Sequence, residues 1–380
     1  MKTEIDNLES VKSHLEKNSD FSHVVVQGLD LKDYENELLA RDVHSSVFLG
    51  CHMSDEVAIS IQKRGGVIFP NLGAMPYQLY RNSLYSPKEL SEGYNLGDYK
   101  SIDQSRDALV YEHYRCAKEN THKPPVAEAL AQRLHDHSID DALADFLDND
   151  GKPRKVVAIM GGHSMLRTDA SFRKVARIAH KLANLDSSVL VATGGGPGAM
   201  EASNLGAFLR HQPINEIDQV IEELSSAPSY KDKAWWDTAL KVLERYPSNP
   251  GTSLGIPTWY YGHEPPNLFA THIAKYFSNS LREDGLLTIA KHGVIYAPGS
   301  AGTIQEVFLD ACQNHYGSTG LISPMVFLNT NYWSEIKPVY PLLSKLALDR
   351  QYGSLLTALD DEDAIVRFIE EHPPQAVQQI

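Results

Sequence analysis

Residues 187–201 read SSVLVATGGGPGAME, and this stretch decides the fold. An apolar run typical of a buried strand leads into four glycines within five residues, and a helical pattern follows. Glycine loses more conformational entropy on folding than any other residue, so such a run indicates tight turns or a close backbone approach. The stretch therefore predicts a strand, a glycine loop and a helix N-terminus, where free backbone N–H groups favour an anion.

The same arrangement occurs twice more in the second half of the chain. The run KVVAIM (155–160) ends at GGHS (161–164), and the run GVIY (293–296) leads into APGSAGTIQE (297–306). Apolar strands alternate with helical stretches throughout this half, which predicts a doubly wound parallel sheet of the Rossmann-like α/β class. Because such sheets bind ligands at the carboxyl ends of their strands, we expect the three loops to line one site.

The 380 residues divide into two regions by pattern. Residues 1–150 contain short β-rich runs and helical stretches, which predict an N-terminal α/β and helical extension of unknown role. The polar run 148–155 marks the predicted boundary, and residues 151–380 form the Rossmann-like domain with a helix-prone insertion at 211–250. Within that domain, the stretch NLFATHIAKYFSNSLR (267–282) has helical periodicity and is predicted to be one helix.

Composition excludes several classes of function. The formal net charge is −14, and an acidic chain is a poor partner for a nucleic-acid polymer or an anionic membrane. The N-terminus is polar, unlike a signal peptide, and no apolar run approaches the ~18 residues of a membrane span. The three cysteines are far apart and include no CxxC pair. These features predict a cytoplasmic protein with free thiols.

The glycine loops also exclude common cofactors. They match neither the GxGxxG dinucleotide fingerprint nor the GxxxxGK[ST] P-loop, so NAD and ATP chemistry are disfavoured. A smaller phosphorylated ligand such as a nucleoside monophosphate fits better. The sequence HDH at 135–137 has metal-ligand residue types, but it is interpreted as a solvated cluster. We therefore expect neither a cofactor nor a metal.

Two of these segments together resemble a known superfamily. GGGPGAMEASNLGA (194–207) and PGSAGTIQE (298–306) are similar to the paired signatures of the LOG-like (SLOG) superfamily, whose Rossmann-like members include cytokinin-activating phosphoribohydrolases. GGHS (161–164) and EPPN (264–267) are more similar to bacterial pyrimidine/purine nucleotide 5′-monophosphate nucleosidases. The resemblance covers roughly residues 150–330. It implies hydrolysis of the N-glycosidic bond of a nucleoside 5′-monophosphate to a free base and ribose 5-phosphate.

The resemblance also implies roles for particular residues. The family's PGGxGTxxE motif falls on residues 298–306, so Glu306 corresponds to its catalytic glutamate. Arg282, sixteen residues before Pro298, corresponds to its catalytic arginine. Ser300 stands where the family has its second glycine, which puts the geometry of this loop in doubt. The implied phosphate or nucleotide contacts are Gly161, Gly162, His163, Ser164, Gly194, Gly195, Gly196, Gly198, Gly299, Ser300, Ala301, Gly302 and Thr303.

Several of these residues have ordinary alternatives. From spacing alone Glu306 is a polar helix residue, and Arg282 is a surface charge. Glu264, Asn267 and Met200 are candidates for base or ribose contacts, but Asn267 also suits the N-cap of the next helix. Two other functions stay open, namely a non-catalytic nucleotide sensor or carrier and a cytokinin-nucleotide phosphoribohydrolase. The resemblance further implies a homo-oligomer.

Overall fold

The computed structural model describes residues 3–73, 75–119, 124–247, 250–262 and 264–377. Two compact units make up the chain: Met1–Leu84 with Arg115–Ala144, and Tyr85–Tyr114 with Asp145–Ile380. Residues 85–114, which the sequence assigns to the N-terminal region, thus cluster with the second unit. The predicted domain boundary near residue 150 stays a prediction.

The first unit contains a four-stranded parallel sheet. Its strands pair in the order β1 (Thr3–Ile5), β2 (Val24–Gln27), β3 (Val47–Leu49) and β4 (Val67–Phe69). The connecting helices are α1 (Leu8–Lys17), α2 (Glu35–Ala40) and α3 (Asp55–Lys63). Alternate strand residues such as Val26 and Phe48 are buried in one apolar cluster with Leu38 and Ile61 from the helices. Alternation along a strand directs these side chains to the same face of the sheet.

Helices α5 (Arg106–Glu119) and α6 (Val126–Asp148) each contribute residues to both units. Within the first unit, His135 and Asp136 of α6 are almost wholly buried, and His135 Nδ1 lies 3.1 Å from Asp136 Oδ1. The interpretation of HDH as a solvated cluster was therefore wrong for two of its three residues. A short polar run in a sequence does not reveal that its helix is buried on that face.

The second unit contains the predicted doubly wound parallel sheet, so the fold class is confirmed. Its seven strands are all parallel, in the order β12-β11-β9-β5-β6-β7-β8. The strands are β5 (Lys155–Met160), β6 (Val189–Thr193), β7 (Ser253–Gly255), β8 (His272–Ile273), β9 (Val294–Tyr296), β11 (Met325–Leu328) and β12 (Leu356–Leu359). A small antiparallel pair, β10 (Leu321–Ile322) and β13 (Gln375–Ala376), lies apart from this sheet.

The second unit also contains helices, most of which connect these strands. They are α4 (Pro87–Leu90), α7 (Ala170–Ala183), α8 (Ala199–Phe208), α9 (Ile214–Leu224), α10 (Trp235–Arg245), α11 (Asn279–Ile289), α12 (Ala301–Tyr316), α13 (Val339–Leu346) and α14 (Glu362–Glu371). Gly206 lets α8 approach α7 closely, because a Cβ there would lie 2.0 Å from the carbonyl oxygen of Ala176. The predicted insertion at 211–250 supplies α9 and α10, whose apolar faces join the main core.

The prediction of one helix over 267–282 was wrong for most of its length. Residues 272–273 form the edge strand β8, and the helix begins only at Asn279. Asn267 is fully buried and accepts backbone hydrogen bonds from Phe269 and Ala270, which fixes a turn at this point. Pairing of Ile273 with β7 and with Tyr85 then holds the backbone extended. Tertiary contacts have overridden the local helical pattern.

Candidate functional site

A cavity of about 500 Å³ lies in the second unit, at the carboxyl ends of the central strands. The chain runs outward from β5 through β6 and β7, then returns to β9 on the other side of β5. The loops after β5 and β9 therefore flank the switch point of the sheet, where open α/β sheets bind ligands. A volume of this size is ordinary for a small-molecule site.

Most of the predicted site residues line this cavity, and they come from all three loops, from helices α8, α11 and α12, and from the segment after β7. The lining members are Gly161, Gly162, His163, Ser164, Gly194, Gly196, Met200, Glu264, Arg282, Ser300, Ala301, Gly302, Thr303 and Glu306. Four predicted residues do not line it: Gly195, Gly198, Asn267 and Gly299.

Those three glycines hold the loops instead. Gly195 and Gly198 have φ angles of +73° and +71°, which few other residues adopt without strain. A Cβ at Gly198 would lie 2.4 Å from the carbonyl oxygen of Gly162, and one at Gly299 would lie 2.1 Å from Thr303 Oγ1. These positions demand glycine because backbones and side chains meet there.

Asn267 is likewise a structural residue. Its side-chain amide donates to the carbonyl oxygen of Gly196 at 3.0 Å and to Asn204 Oδ1 at 3.0 Å. Its own oxygen accepts the two backbone bonds described above. All the polar atoms of this amide are thus engaged in tying the 264–270 segment to the glycine loop after β6.

Ser300 does not distort the loop after β9. It is the N-cap residue of α12 with φ −112°, outside the left-handed region that would require glycine. The backbone N–H groups of the first turn have no partner inside a helix, so residues 301–303 can offer theirs to a ligand. A Cβ at Gly302 would meet no atom within 4 Å, which indicates open space at this helix end.

The carbonyl oxygen of Gly299 holds this loop in place through two hydrogen bonds. It accepts a hydrogen bond from the hydroxyl of Tyr332 and another from Lys337 Nζ at 3.0 Å. Both donors come from the short π-helical segment Tyr332–Ile336 and the residue after it. Short π-helical segments are frequent at functional sites.

Glu306 and Arg282 form the charged centre of the cavity. Arg282 Nη1 donates to Glu306 Oε1 at 3.4 Å, and Arg282 Nε donates to the carbonyl oxygen of Ile256 at 2.8 Å. The guanidinium lies against the glycine loop, because a Cβ at Gly194 would lie 2.3 Å from Arg282 Nη2. A side chain at residue 194 would therefore displace the end of the arginine side chain.

Burial raises the pKa of Glu306 above its ordinary value. The charge of Arg282 acts in the opposite direction, and the neighbouring carboxylate of Glu283 raises the pKa further. A partly desolvated carboxylate in a cleft, held beside one cation, is typical of a catalytic group.

A histidine–carboxylate pair lies at another part of the cavity. His163 Nδ1 lies 3.6 Å from Glu264 Oε1, and both side chains are about half exposed. The ring of His163 also meets the edge of Tyr230. Met200 lies between this pair and Arg282, since a Cβ at Gly194 or Gly196 would touch its sulfur or methyl group.

Sequence analysis did not assign Glu283 or Gln305 to the site, although both line the cavity. Glu283 is buried, and its carboxylate accepts hydrogen bonds from the hydroxyl of Tyr261 at 3.1 Å and from Gln305 Nε2 at 2.7 Å. All three line the cavity. Glu283 and Gln305 each adjoin a predicted catalytic residue in the sequence, which was the available signal. Trp259 lies two residues before Tyr261 in the sequence. In contrast to Tyr261, it is wholly buried against Phe277 and belongs to the core.

Asp310 lies one helical turn beyond Glu306, beneath the cavity. Its buried carboxylate accepts hydrogen bonds from the hydroxyl of Tyr296 at 2.7 Å and from Asn314 Nδ2 at 3.2 Å. Burial raises the pKa of Asp310 to about 7, although the bond from Tyr296 lowers it. Helix α12 thus carries two buried carboxylates in succession on one face.

Comparison with known proteins leaves the family open. No protein-family model matches the chain, and no curated protein matches its sequence. The molybdenum cofactor binding protein from the phototrophic bacterium Rippkaea orientalis is 14% identical with a TM-score of 0.37, over 57% of this chain and 96% of that protein. The molybdenum cofactor carrier protein from Chlamydomonas reinhardtii is 14% identical with a TM-score of 0.35, over 57% and 97%. Similarity at this level supports no conclusion about the ligand of this chain.

In the described ranges, no helix combines the length and the apolar character that crossing a bilayer requires.

Proposed function

We propose that this protein is a nucleoside 5′-monophosphate nucleosidase. It hydrolyses the N-glycosidic bond and releases a free base and ribose 5-phosphate. The observation that carries the proposal is the Glu306–Arg282 pair, buried in the cavity one turn from the N-terminus of α12. The resemblance of these residues to LOG-like nucleosidases supports the same assignment and a homo-oligomeric, cytoplasmic enzyme.

The phosphate is assigned to the start of α12. Residues 300–303 offer backbone N–H groups there, and the helix dipole favours an anion. Gly162 and Ser164 from the loop after β5 line the facing wall. The hydrogen bonds that Gly299 accepts from Tyr332 and Lys337 hold this loop in place before the ligand arrives. Preorganised donors of this kind bind an anion without rearranging.

The sugar then lies beside Glu306. In an α-helix each side chain points toward the N-terminus, so Glu306 reaches back toward the phosphate position. Cleavage of a ribosyl C–N bond passes through a cationic, oxocarbenium-like sugar, which a carboxylate stabilises. The same carboxylate can orient or deprotonate the attacking water. Water supplies the hydroxyl to the anomeric carbon, and the bonding electron pair and a proton leave with the base.

Arg282 keeps Glu306 competent for this role. Burial alone favours the neutral acid, and the guanidinium at 3.4 Å favours the ionised form. The remaining N–H groups of Arg282 can contact the phosphate or the ribose. Glu264, His163 and Met200 are assigned to the base side of the cavity, since they lie along the wall away from α12.

The proposal is tested by turnover. Purified protein is incubated with AMP, GMP, IMP, CMP and UMP, and free base and ribose 5-phosphate are measured. Glu306→Gln should lower kcat/KM by roughly 100- to 1,000-fold, as removal of a preorganised transition-state group does. Glu335→Gln, at an exposed glutamate of the π-helical segment, is the matched control and should change kcat/KM by less than about 2-fold.

Two outcomes contradict the proposal. A folded protein that releases no base from any of the five nucleotides is not a nucleosidase for them. Tight binding of a nucleotide without turnover would indicate a sensor or carrier instead, and calorimetry run beside the assay detects it. Unchanged turnover in Glu306→Gln would remove this residue from the mechanism.

A further inference from the structure

Glu283 is a buried carboxylate of the cavity that the proposed chemistry does not use. Its side chain lines the cavity, and the residue is 8% exposed. Within the described part of the chain, no lysine, arginine or histidine nitrogen lies within 4.0 Å of its oxygens. Its two partners, Tyr261 and Gln305, are neutral. A buried carboxylate without a cation is costly, which indicates that a ligand supplies further donors.

The two hydrogen bonds leave acceptor capacity on both oxygens. Oε1 accepts from the hydroxyl of Tyr261, and Oε2 accepts from Gln305 Nε2. An ionised carboxylate offers about four lone-pair positions, so each oxygen keeps one. The Tyr261 hydroxyl is itself held by Asn279 Nδ2 at 2.9 Å. The carboxylate is thus fixed in orientation, with two coplanar acceptors free.

The position of Glu283 limits what can bind there. Gln305, which donates to Glu283, precedes Glu306 on α12, and the charge of Glu283 raises the pKa of Glu306. The carboxylates of Glu283 and Glu306 are therefore neighbours. If Glu306 faces the anomeric carbon, Glu283 faces the adjacent part of the sugar ring. The negative charge of Glu283 repels the phosphate. Its carboxylate oxygens accept hydrogen bonds and therefore bind only donor groups. Paired donors on adjacent carbons are the hydroxyls of a ribose 2′,3′-diol.

We propose that Glu283 is a specificity-determining residue that binds the ribose 2′,3′-diol and selects ribonucleotides over 2′-deoxyribonucleotides. This inference rests on the proposed function. The 2′- and 3′-hydroxyls each donate to one carboxylate oxygen, a bidentate arrangement. Loss of the 2′-hydroxyl leaves one buried acceptor without its partner, and sites built for a hydroxyl reject analogues that lack it.

The first test compares AMP with 2′-deoxy-AMP. The native protein should favour AMP in kcat/KM by about 10- to 100-fold, the effect of one hydrogen bond to a charged group. Glu283→Gln should lower kcat/KM more for AMP, which has both hydroxyl contacts, than for 2′-deoxy-AMP, which has only the 3′-hydroxyl contact, so that the preference for AMP falls to within about 3-fold. Tyr261→Phe, which removes one orienting donor, should reduce the preference only partly.

The matched control is Asp284→Asn. Asp284 is the next residue on α11, carries the same charge and is exposed. Its neutralisation should leave both rates and the preference within about 2-fold. Equal losses for AMP and 2′-deoxy-AMP in Glu283→Gln would overturn the inference, because they would assign Glu283 to the base or to the fold. Circular dichroism and Tm check the fold of each variant.

A binding experiment separates this inference from the proposed function. Calorimetry measures Kd for ribose 5-phosphate and 2-deoxyribose 5-phosphate, and it requires no turnover. If the protein binds ribose 5-phosphate more tightly and Glu283→Gln abolishes that difference, the inference stands even when no nucleotide is hydrolysed. Binding of neither sugar phosphate, or a preference that persists in Glu283→Gln, overturns it.

Discussion

Two loop–helix motifs with the same sequence pattern line the cavity, and they are built differently. In the first motif (residues 194–208) contacts leave no space at the glycines, and Gly195 and Gly198 have positive φ. In the second motif (residues 298–316) the helix start is open, and Ser300 replaces a glycine without strain. A glycine-rich pattern alone therefore does not distinguish a loop that holds the fold from a loop that receives a ligand.

Their buried carboxylates differ in the same way. Glu201 in the first motif is paired with Arg167, whose Nε donates to both carboxylate oxygens at 3.2 Å, and it also accepts a hydrogen bond from Trp235 Nε1 at 3.2 Å. Burial raises the pKa of Glu306 and of Asp310 in the second motif. Glu201 is thus held among buried partners, whereas Glu306 lines the cavity in which we propose the chemistry.

The largest effect on stability is expected when the cation beside Glu201 of the first motif is removed. Arg167→Met leaves Glu201 charged and buried without a cation, which typically costs about 3–5 kcal/mol of unfolding free energy. Arg167 also donates to carbonyl oxygens of Leu224, Ala227 and Trp235, so the insertion should loosen as well. Urea denaturation measures the loss. An unfolding free energy within about 1 kcal/mol of the native value would show that this pair is not structural.

The buried carboxylate of Asp310 in the second motif is expected to make the unfolding free energy depend on pH. Because the pKa of Asp310 is raised to about 7, the folded state holds a proton that the unfolded state, with an ordinary value near 3.8, has released. Its contribution to stability is present below about pH 4 and is lost as pH rises toward 7.

Asp310→Asn removes this loss. Between pH 4 and pH 7 the unfolding free energy of the native protein should fall relative to that of the variant by on the order of 2–4 kcal/mol. Denaturation at both pH values gives the difference. Parallel pH profiles for the two proteins would contradict the assignment. Asn204 is a buried amide of the first motif. Asn204→Asp therefore makes the converse comparison, because it replaces a buried amide with a carboxyl group.

The sequence predicted the sheet well and the roles of single residues less well. Strand–glycine–helix repeats are local, and the position of their loops follows from the parallel arrangement, so the cavity could be predicted. Its position beside Arg282 was a signal for Glu283, but the sequence of residues 281–284 alone does not distinguish a side chain that faces the cavity from the exposed Asp284. Arg167 was also missed, since it lies in the loop after β5 whereas its partner Glu201 lies on α8. Such pairings depend on packing between distant segments.

The same limit explains the two errors of secondary structure and burial. Residues 267–278 have helical periodicity, but Asn267 is tied to the glycine loop and Ile273 pairs with β7. His135 belongs to a polar run, yet it is buried within the first unit. In both cases a long-range contact outweighs the local pattern, and a single sequence carries no signal of that contact.

A smaller effect is expected from Gly198→Ala. The position has φ +71°, and the added methyl group would lie 2.4 Å from the carbonyl oxygen of Gly162. Backbone strain of this kind costs roughly 1–3 kcal/mol, so Tm should fall and activity should fall with it. Differential scanning calorimetry measures the change. A Tm equal to that of the native protein would contradict the view that the first loop is sterically locked.

Gly302→Ala should change stability least, and it separates the two loops most clearly. The added methyl group meets no protein atom within 4 Å, so no strain is expected. Replacement of a helical glycine by alanine instead stabilises by about 0.4–1 kcal/mol, because it restricts the unfolded chain. The methyl group occupies the space assigned to the phosphate, however, and Kd for ribose 5-phosphate should weaken while Tm holds or rises. Gly198→Ala is thus expected to lower stability, whereas Gly302→Ala is expected to weaken ligand binding. If Gly302→Ala lowered Tm as Gly198→Ala does and left Kd unchanged, the second loop would be structural too, and the phosphate would have to bind elsewhere in the cavity.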